Sequence, residues 1–170
     1  MGRQTVAPAA RGFGALGVSS CAVASWAEFE AAEPEFASRA RALLTARTHL
    51  SMATLRRDGS PRISGTEIAF ADGQLQIGSM PGAVKALDLR RDGRVAIHGP
   101  TEDPPATNAA GWTGEAQVAG TATEVESGGA AHQFLIDIHE VVITRLNEEG
   151  SRLVVESWNA NRGHRTVERE

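Results

Sequence analysis

One basic side chain stands where an anion would be held. Lys85 falls in the first turn of a short helix that begins after Pro81-Gly82, where free backbone N–H groups and the helix dipole already favour negative charge. Arg62 opens a run of alternating apolar and polar residues, Arg62–Phe70. The familiar catalytic clusters are missing: the sequence has no Gly-x-Ser-x-Gly, no Walker loop, no His-Glu-x-x-His and no cysteine pair. Its five histidines, His49, His98, His132, His139 and His164, are scattered one to a segment, which is not metal-ligand spacing. Alternation puts Asp137 and His139 on one strand face and Glu140 on the other, which reads as a surface or subunit contact, and no metal is expected. The single cysteine, Cys21, has no His or Asn motif beside it and is not read as a nucleophile. No catalytic residue is assigned. A phosphate site without an acid or base points to chemistry borrowed from a cofactor.

The elements that must position these groups begin at His49. From there to His98 the pattern is strand, turn, strand, turn, strand, helix, strand, with breaks at Asp58-Gly59, Asp72-Gly73 and Asp92-Gly93. Asp-Gly between alternating runs is a strong hairpin signal. The strands are expected at His49–Arg56, Arg62–Phe70, Gln74–Ser79 and Arg94–His98, and the helix is expected to bury Val84, Leu87 and Leu89. Upstream, Ser25 and Glu28 fit a capping box. Pro34 opens a second helix, with Phe36, Ala40, Leu43 and Leu44 at helical spacing to about Arg47, which should cover one end of a barrel. Its Arg39, Arg41 and Arg47, interspersed with glutamates, read as a solvated face. Downstream, Gly99–Gly111 has no periodicity and two adjacent prolines and reads as a long surface loop. Strands follow at Trp112–Val125, Phe134–Leu146 and Arg152–Trp158, the last two joined at Asn147–Gly150. Six or seven antiparallel strands with a few short helices make a mainly β chain, and barrel closure would remove exposed edges.

At 170 residues the chain suits one domain. Residues 1–24 are expected to be a disordered Ala/Gly-rich tail and residues 25–170 the folded domain. With 22% charged residues and a net charge of −4 there is no basic field to draw nucleic acid or an anionic membrane. No apolar run reaches the roughly 18–20 residues that span a bilayer. Arg3 and Arg11 precede a short apolar run, and Val18-Ser19-Ser20-Cys21 has the look of a lipoprotein cleavage box, but Gly12–Val18 is short and Gly-rich for a signal. The expectation is a cytoplasmic chain, whose tail is either natural or the product of a misplaced start.

Three segments, PRISGTEIAF, IGSMPGAVKALDLRRDGRVAIH and VESWNANRGHRTVER, resemble the pyridoxamine 5'-phosphate oxidase family and its flavin- and deazaflavin-dependent relatives. The resemblance implies a split β-barrel that binds flavin mononucleotide (FMN) at a homodimer interface and passes hydride to or from a small substrate. By it, the cofactor would be held by Arg62, Ile63 and Ser64, by Gly78 and Ser79, and by Val84 and Lys85. From the partner chain Trp158 and Arg169 would reach the flavin, and Arg165 the substrate. The family pattern is altered at Val84, which replaces a second basic residue, at Glu67, which replaces a lysine, and at Ser157, which replaces an aromatic. Val167 stands where the family carries a histidine for the vitamin phosphate, so pyridoxamine phosphate is not the implied substrate. Two further readings are a reductase using deazaflavin, whose longer acidic tail would call on Arg90 and Arg91, and a non-catalytic binder of flavin, haem or another tetrapyrrole.

Overall fold

Capping chemistry starts the folded chain. In the computed structural model, which describes residues 22–170, Ser25 Oγ accepts the Glu28 amide at 3.2 Å while Glu28 Oε2 accepts the Ser25 amide at 2.8 Å. This reciprocal pair opens α1 (Trp26–Ala32), and Pro34 opens α2 (Pro34–Leu44). Trp26, Phe29 and Phe36 are buried and meet edge to face, so the two helices cap the sheet with an aromatic cluster. Ala24, just ahead of α1, bridges to Ile138. Cys21 and the rest of the expected tail up to it lie outside the described residues.

Nine antiparallel strands follow. They are β1 (Leu50–Leu55), β2 (Pro61–Thr66), β3 (Ile68–Ala71), β4 (Gln74–Ser79), β5 (Arg94–His98), β6 (Glu115–Val125), β7 (His132–Leu146), β8 (Leu153–Asn159) and β9 (Gly163–Arg169), with α3 (Val84–Arg91) between β4 and β5. The path runs β2-β1-β5-β6-β7-β4-β3, and β8 and β9 extend from β7. Strand β7 is long enough to split its partners: residues Gln133, Phe134 and Ile136 face β4, while Val141–Leu146 face β8. The core lies inside this curved sheet, with Met52, Leu75, Ile97, Phe134, Ile136 and Ile143 all buried.

The mainly β split barrel with short flanking helices is thus present, with three departures in detail. The expected strand Arg62–Phe70 is two strands, because the chain changes partner at Glu67, from β1 to β4. The sheet is not closed by hydrogen bonds; its path ends, β2 and β3, are consecutive in sequence and are joined only through Glu67. The C-terminal strand β9 lies beyond the expected strands, since its residues from Arg165 on are exposed and, Val167 apart, polar, and give no core-facing alternation. The turn at Asp72-Gly73 has both φ positive, at 53° and 73°, which is the backbone that Asp-Gly supplies at a two-residue hairpin. Asp92-Gly93 instead ends a helix: Asp92 is the C-cap of α3 and donates its N–H to the Asp88 carbonyl.

Helix α3 buries Leu89 as expected, but not Val84 and Leu87. Ala86, Asp88 and Leu89 point inward, whereas Val84 and Leu87 are about half exposed. The arginines of α2 are engaged rather than merely solvated: Arg39 pairs with Glu156 and Arg41 lies over Phe70 at 4.5 Å, while Arg47, just past the helix, pairs with Glu102.

Candidate functional site

An open groove of about 790 Å³ lies among the described residues. Its walls are the β2–β3 junction, the end of β4, the segment leading into α3, and the start of β7. Three of the expected cofactor residues line it: Gly78, Ser79 and Lys85. Gly78 has open space where a Cβ would stand. Ser79 Oγ is buried and has no hydrogen-bond partner. Lys85 Nζ reaches back from α3 to the Gly65 carbonyl at 2.6 Å, which fixes its ammonium over the end of β2.

Arg62, Ser64 and Thr66 share the inner face of β2. Ser64 Oγ, like Ser79 Oγ, is buried without a partner. Arg62 donates Nε to Asp88 at 2.6 Å, and Asp88 also receives Arg91 at 2.9 Å and Thr54 at 3.0 Å. Burial pushes the Asp88 carboxyl up, but these hydrogen bonds outweigh burial and hold it below the usual range. Arg62 therefore has a structural partner in addition to any ligand, and only its Nε is committed. Ile63 points to the opposite face and is 79% exposed, and Val84 is exposed on α3, so neither brings a side chain to the groove.

Trp158 is in the core. It is 5% exposed and packs on Phe29 at 4.6 Å, which leaves its indole no open face for a flavin ring. Within its own chain the residue closes the aromatic cluster under α1. Arg165 and Arg169 are exposed on β9, away from the groove of their own chain. The neighbouring Glu156 is buried and held by Arg39 at 2.6 and 2.8 Å and by Arg145 at 2.8 Å. The hydrogen bond from Arg39 above all lowers its carboxyl, with burial opposing and Arg145 adding to the effect, to about 2.

Sequence reasoning missed part of the groove. Glu67 lines it and lies 3.4 Å from His49. Gln133 donates to Gln76 at 2.7 Å across β4 and β7. His132, also on the wall, meets Glu124 at 2.8 Å. Gln76 and Gln133 meet through the β4–β7 pairing, and Glu124 and His132 through the join of β6 to β7, which no short-range pattern reports. His139 meets Thr121 at 3.0 Å, and among the described residues no three His, Cys, Asp or Glu side chains converge as a metal site.

Comparison with known proteins decides the family. The family model for pyridoxamine 5'-phosphate oxidase matches residues 36–161. The chain belongs to that family. A comparison with curated proteins gave no match. Among solved structures, PhzG from Burkholderia lata 383 in complex with tetrahydrophenazine-1-carboxylic acid is similar at 10% identity, with 85% of this chain and 93% of that one covered and a TM-score of 0.57. A pyridoxamine 5'-phosphate oxidase-related, FMN binding protein from Nostoc punctiforme PCC 73102 is similar at 15% identity, over 85% and 97%, with a TM-score of 0.56. A heme binding protein from Mycobacterium smegmatis is similar at 16% identity, over 69% and 55%, with a TM-score of 0.51. At these identities the likeness is one of fold. Among the described residues no helix is long and apolar enough to cross a membrane.

The residues of the family member described here suit the phosphate end of a flavin mononucleotide. Ser64 and Ser79 offer hydroxyls without partners, Lys85 an ammonium, and Arg62 the part of its guanidinium that Asp88 leaves uncommitted. Buried polar groups are nearly always satisfied, so the orphaned hydroxyls of Ser64, on the strand that carries Arg62, and of Ser79, on the groove that Lys85 also lines, point to an oxygen-rich ligand.

Proposed function

We propose that the chain is a flavin-dependent oxidoreductase that holds FMN by its phosphate at Arg62, Ser64, Ser79 and Lys85, with a small molecule as substrate. The observation that carries this reading is the pair of buried, unpartnered serine hydroxyls beside two cations. A bound flavin would supply the hydride transfer. The chain's own part is to hold and orient it: Lys85 as a point charge at the first turn of α3, Arg62 as a fork on β2, and Gly78 as backbone that a ring can approach closely. The deazaflavin reading is disfavoured by Arg90 and Arg91, the cations a longer acidic tail would need. Arg90 is committed to Glu124 through two hydrogen bonds, at 2.5 and 2.9 Å, and Arg91 to Asp88 and the Leu55 carbonyl.

Arg169 and Arg165 complete the site only from a second copy, so the proposed unit is a homodimer. The test is an absorbance and fluorescence titration of the purified protein with FMN, riboflavin and haem in parallel. Saturable FMN binding, with riboflavin much weaker for want of a phosphate, is the expected result. Equal binding of riboflavin would remove the phosphate site, and haem binding alone would move the protein to the non-catalytic binders.

A further inference from the structure

His132 stands at the join of two depressions. It lines the large groove and also a smaller one of about 370 Å³ that Arg90, Glu124 and the segment between β6 and β7 enclose. Its side chain is only 11% exposed, and both ring nitrogens are committed. Nδ1 meets Glu124 Oε1 at 2.8 Å, and Nε2 faces the Gly82 amide at 3.3 Å. Arg90 and then His132 hold the Glu124 carboxyl below its usual range by hydrogen bonds, so Glu124 is an acceptor only. The Gly82 N–H is a donor only. These two partners fix one tautomer: the proton sits on Nδ1, and the Nε2 lone pair accepts Gly82.

Gly82 is no ordinary partner. It has φ of 73°, and it stands two residues before the first turn of α3, three before Lys85. The rest of that junction is held by one backbone turn bond, from the Ala83 N–H to the Met80 carbonyl at 3.1 Å; Ala83, the N-cap, makes no side-chain cap hydrogen bond, and Met80 is 79% exposed. The chain Arg90–Glu124–His132–Gly82 therefore starts on the last turn of α3, crosses β6 and β7, and returns to the entry of the same helix.

We propose that His132 is a positioning residue which pins the Gly82 amide and so sets the first turn of α3, with Lys85, against the groove. This rests on the reading of Lys85 as the phosphate cation. An imidazolium has a proton on Nε2 and cannot accept Gly82, so the pin is present for neutral His132 and lost for the charged ring. The charged groups that face it are Glu124 from β6 and Arg90 from α3, with Glu126 on the smaller depression and Lys85, Glu67 and His49 on the larger.

Two measurements on the full chain test the proposal. In the first, without cofactor, amide resonances are followed from pH 8 to 5 in the parent and in His132→Gln, whose side-chain oxygen can accept Gly82 but does not titrate in this range. The Gly82 and Lys85 amides are expected to shift together in the parent and to stay fixed in the variant. Absence of the linked shift in the parent overturns the proposal even where FMN binds. In the second, FMN affinity is compared among the parent, His132→Leu, Lys85→Ala and the double variant at pH 8. His132→Leu is expected to weaken binding about three- to tenfold, and the double variant to bind no more weakly than Lys85→Ala, because His132 acts through Lys85. Additive losses overturn it. So does parent affinity that rises relative to His132→Gln as pH falls, since that would be an imidazolium attracting the phosphate directly. If the parent binds no FMN while the amides shift as expected, the flavin reading fails and the pin stands.

Discussion

Lys85 and Arg62 look alike as candidate phosphate ligands, and their surroundings separate them. Lys85 is held by one carbonyl, Gly65, in an open groove. Arg62 is one of three donors to Asp88, which is 3% exposed. A charge-assisted contact to a desolvated phosphate is worth on the order of 1.5–3 kcal/mol, about ten- to a hundredfold in affinity. Lys85→Ala is therefore expected to weaken FMN binding by that factor with an unchanged melting temperature, and an unchanged dissociation constant by fluorescence titration would misplace the site. Arg62→Ala is expected to lower both affinity and stability. It leaves a buried carboxylate with two of its three donors, at a cost of about 1–3 kcal/mol, and a denaturant melt identical to the parent's would show Asp88 to be indifferent to Arg62. The inner face of β2 was legible from alternation, which groups Arg62, Ser64 and Thr66. The role of Asp88 was not, because a charged residue late in a short helix has the local pattern of a solvated one.

At the scale of elements, charge joins apolar burial in holding the outer strands: β8 buries Val154 and Trp158 and also carries a buried carboxylate. Glu156 on β8 takes Arg39 from α2 and Arg145 from β7, and His164 on β9 lies 3.4 Å from it. Its folded carboxyl sits at about 2 against an ordinary 4.5. A depressed carboxylate contributes stability that is fully present above its unfolded value and is lost as pH falls through its folded value. The loss should run from about pH 4.5 down to about 2 and, with Arg39 half exposed and screened, amount to about 2 kcal/mol. Acid unfolding followed by circular dichroism should show this, and Glu156→Gln should start less stable at pH 7 and lose less across that window. An unaltered acid slope would remove Glu156 from the account. Strand positions were readable where one face is apolar, as in β4, β5 and β7. Strand β9 was not, since it pairs with β8 alone and buries almost nothing, and the division at Glu67 was not, since a change of strand partner leaves no mark on alternation. At Gly120 the β6–β7 register shifts, and a Cβ there would stand 2.4 Å from the Asp137 carbonyl, a close approach that only glycine permits.

At the scale of the whole molecule, the surface carries an apolar cluster that one chain does not use. Ile63 on β2, Met80, and Val84 and Leu87 on α3 are all at least half exposed. The Arg62–Asp88 and Lys85–Gly65 contacts tie β2 and α3 together, so Ile63 and the α3 pair Val84 and Leu87 are exposed on linked elements. Exposed apolar groups gathered in this way mark an interaction surface. A second copy is the occupant we infer, because Arg165 and Arg169 stand on β9, far in the chain from any flavin held at Lys85, and would meet one only across an interface. Light scattering at micromolar concentration is expected to give a dimer, and Leu87→Glu with Ile63→Glu is expected to yield a folded monomer. A charge pair buried at the interface without partners costs several kcal/mol, enough to separate the chains while leaving two exposed positions of the fold untouched. If the site is shared, that monomer should also bind FMN about tenfold or more weakly, and Arg169→Ala should weaken binding in the dimer but not further in the monomer. A parent that is monomeric at this concentration, or a charged variant that binds FMN as the parent does, would confine the site to a single chain and leave the apolar cluster without its proposed partner.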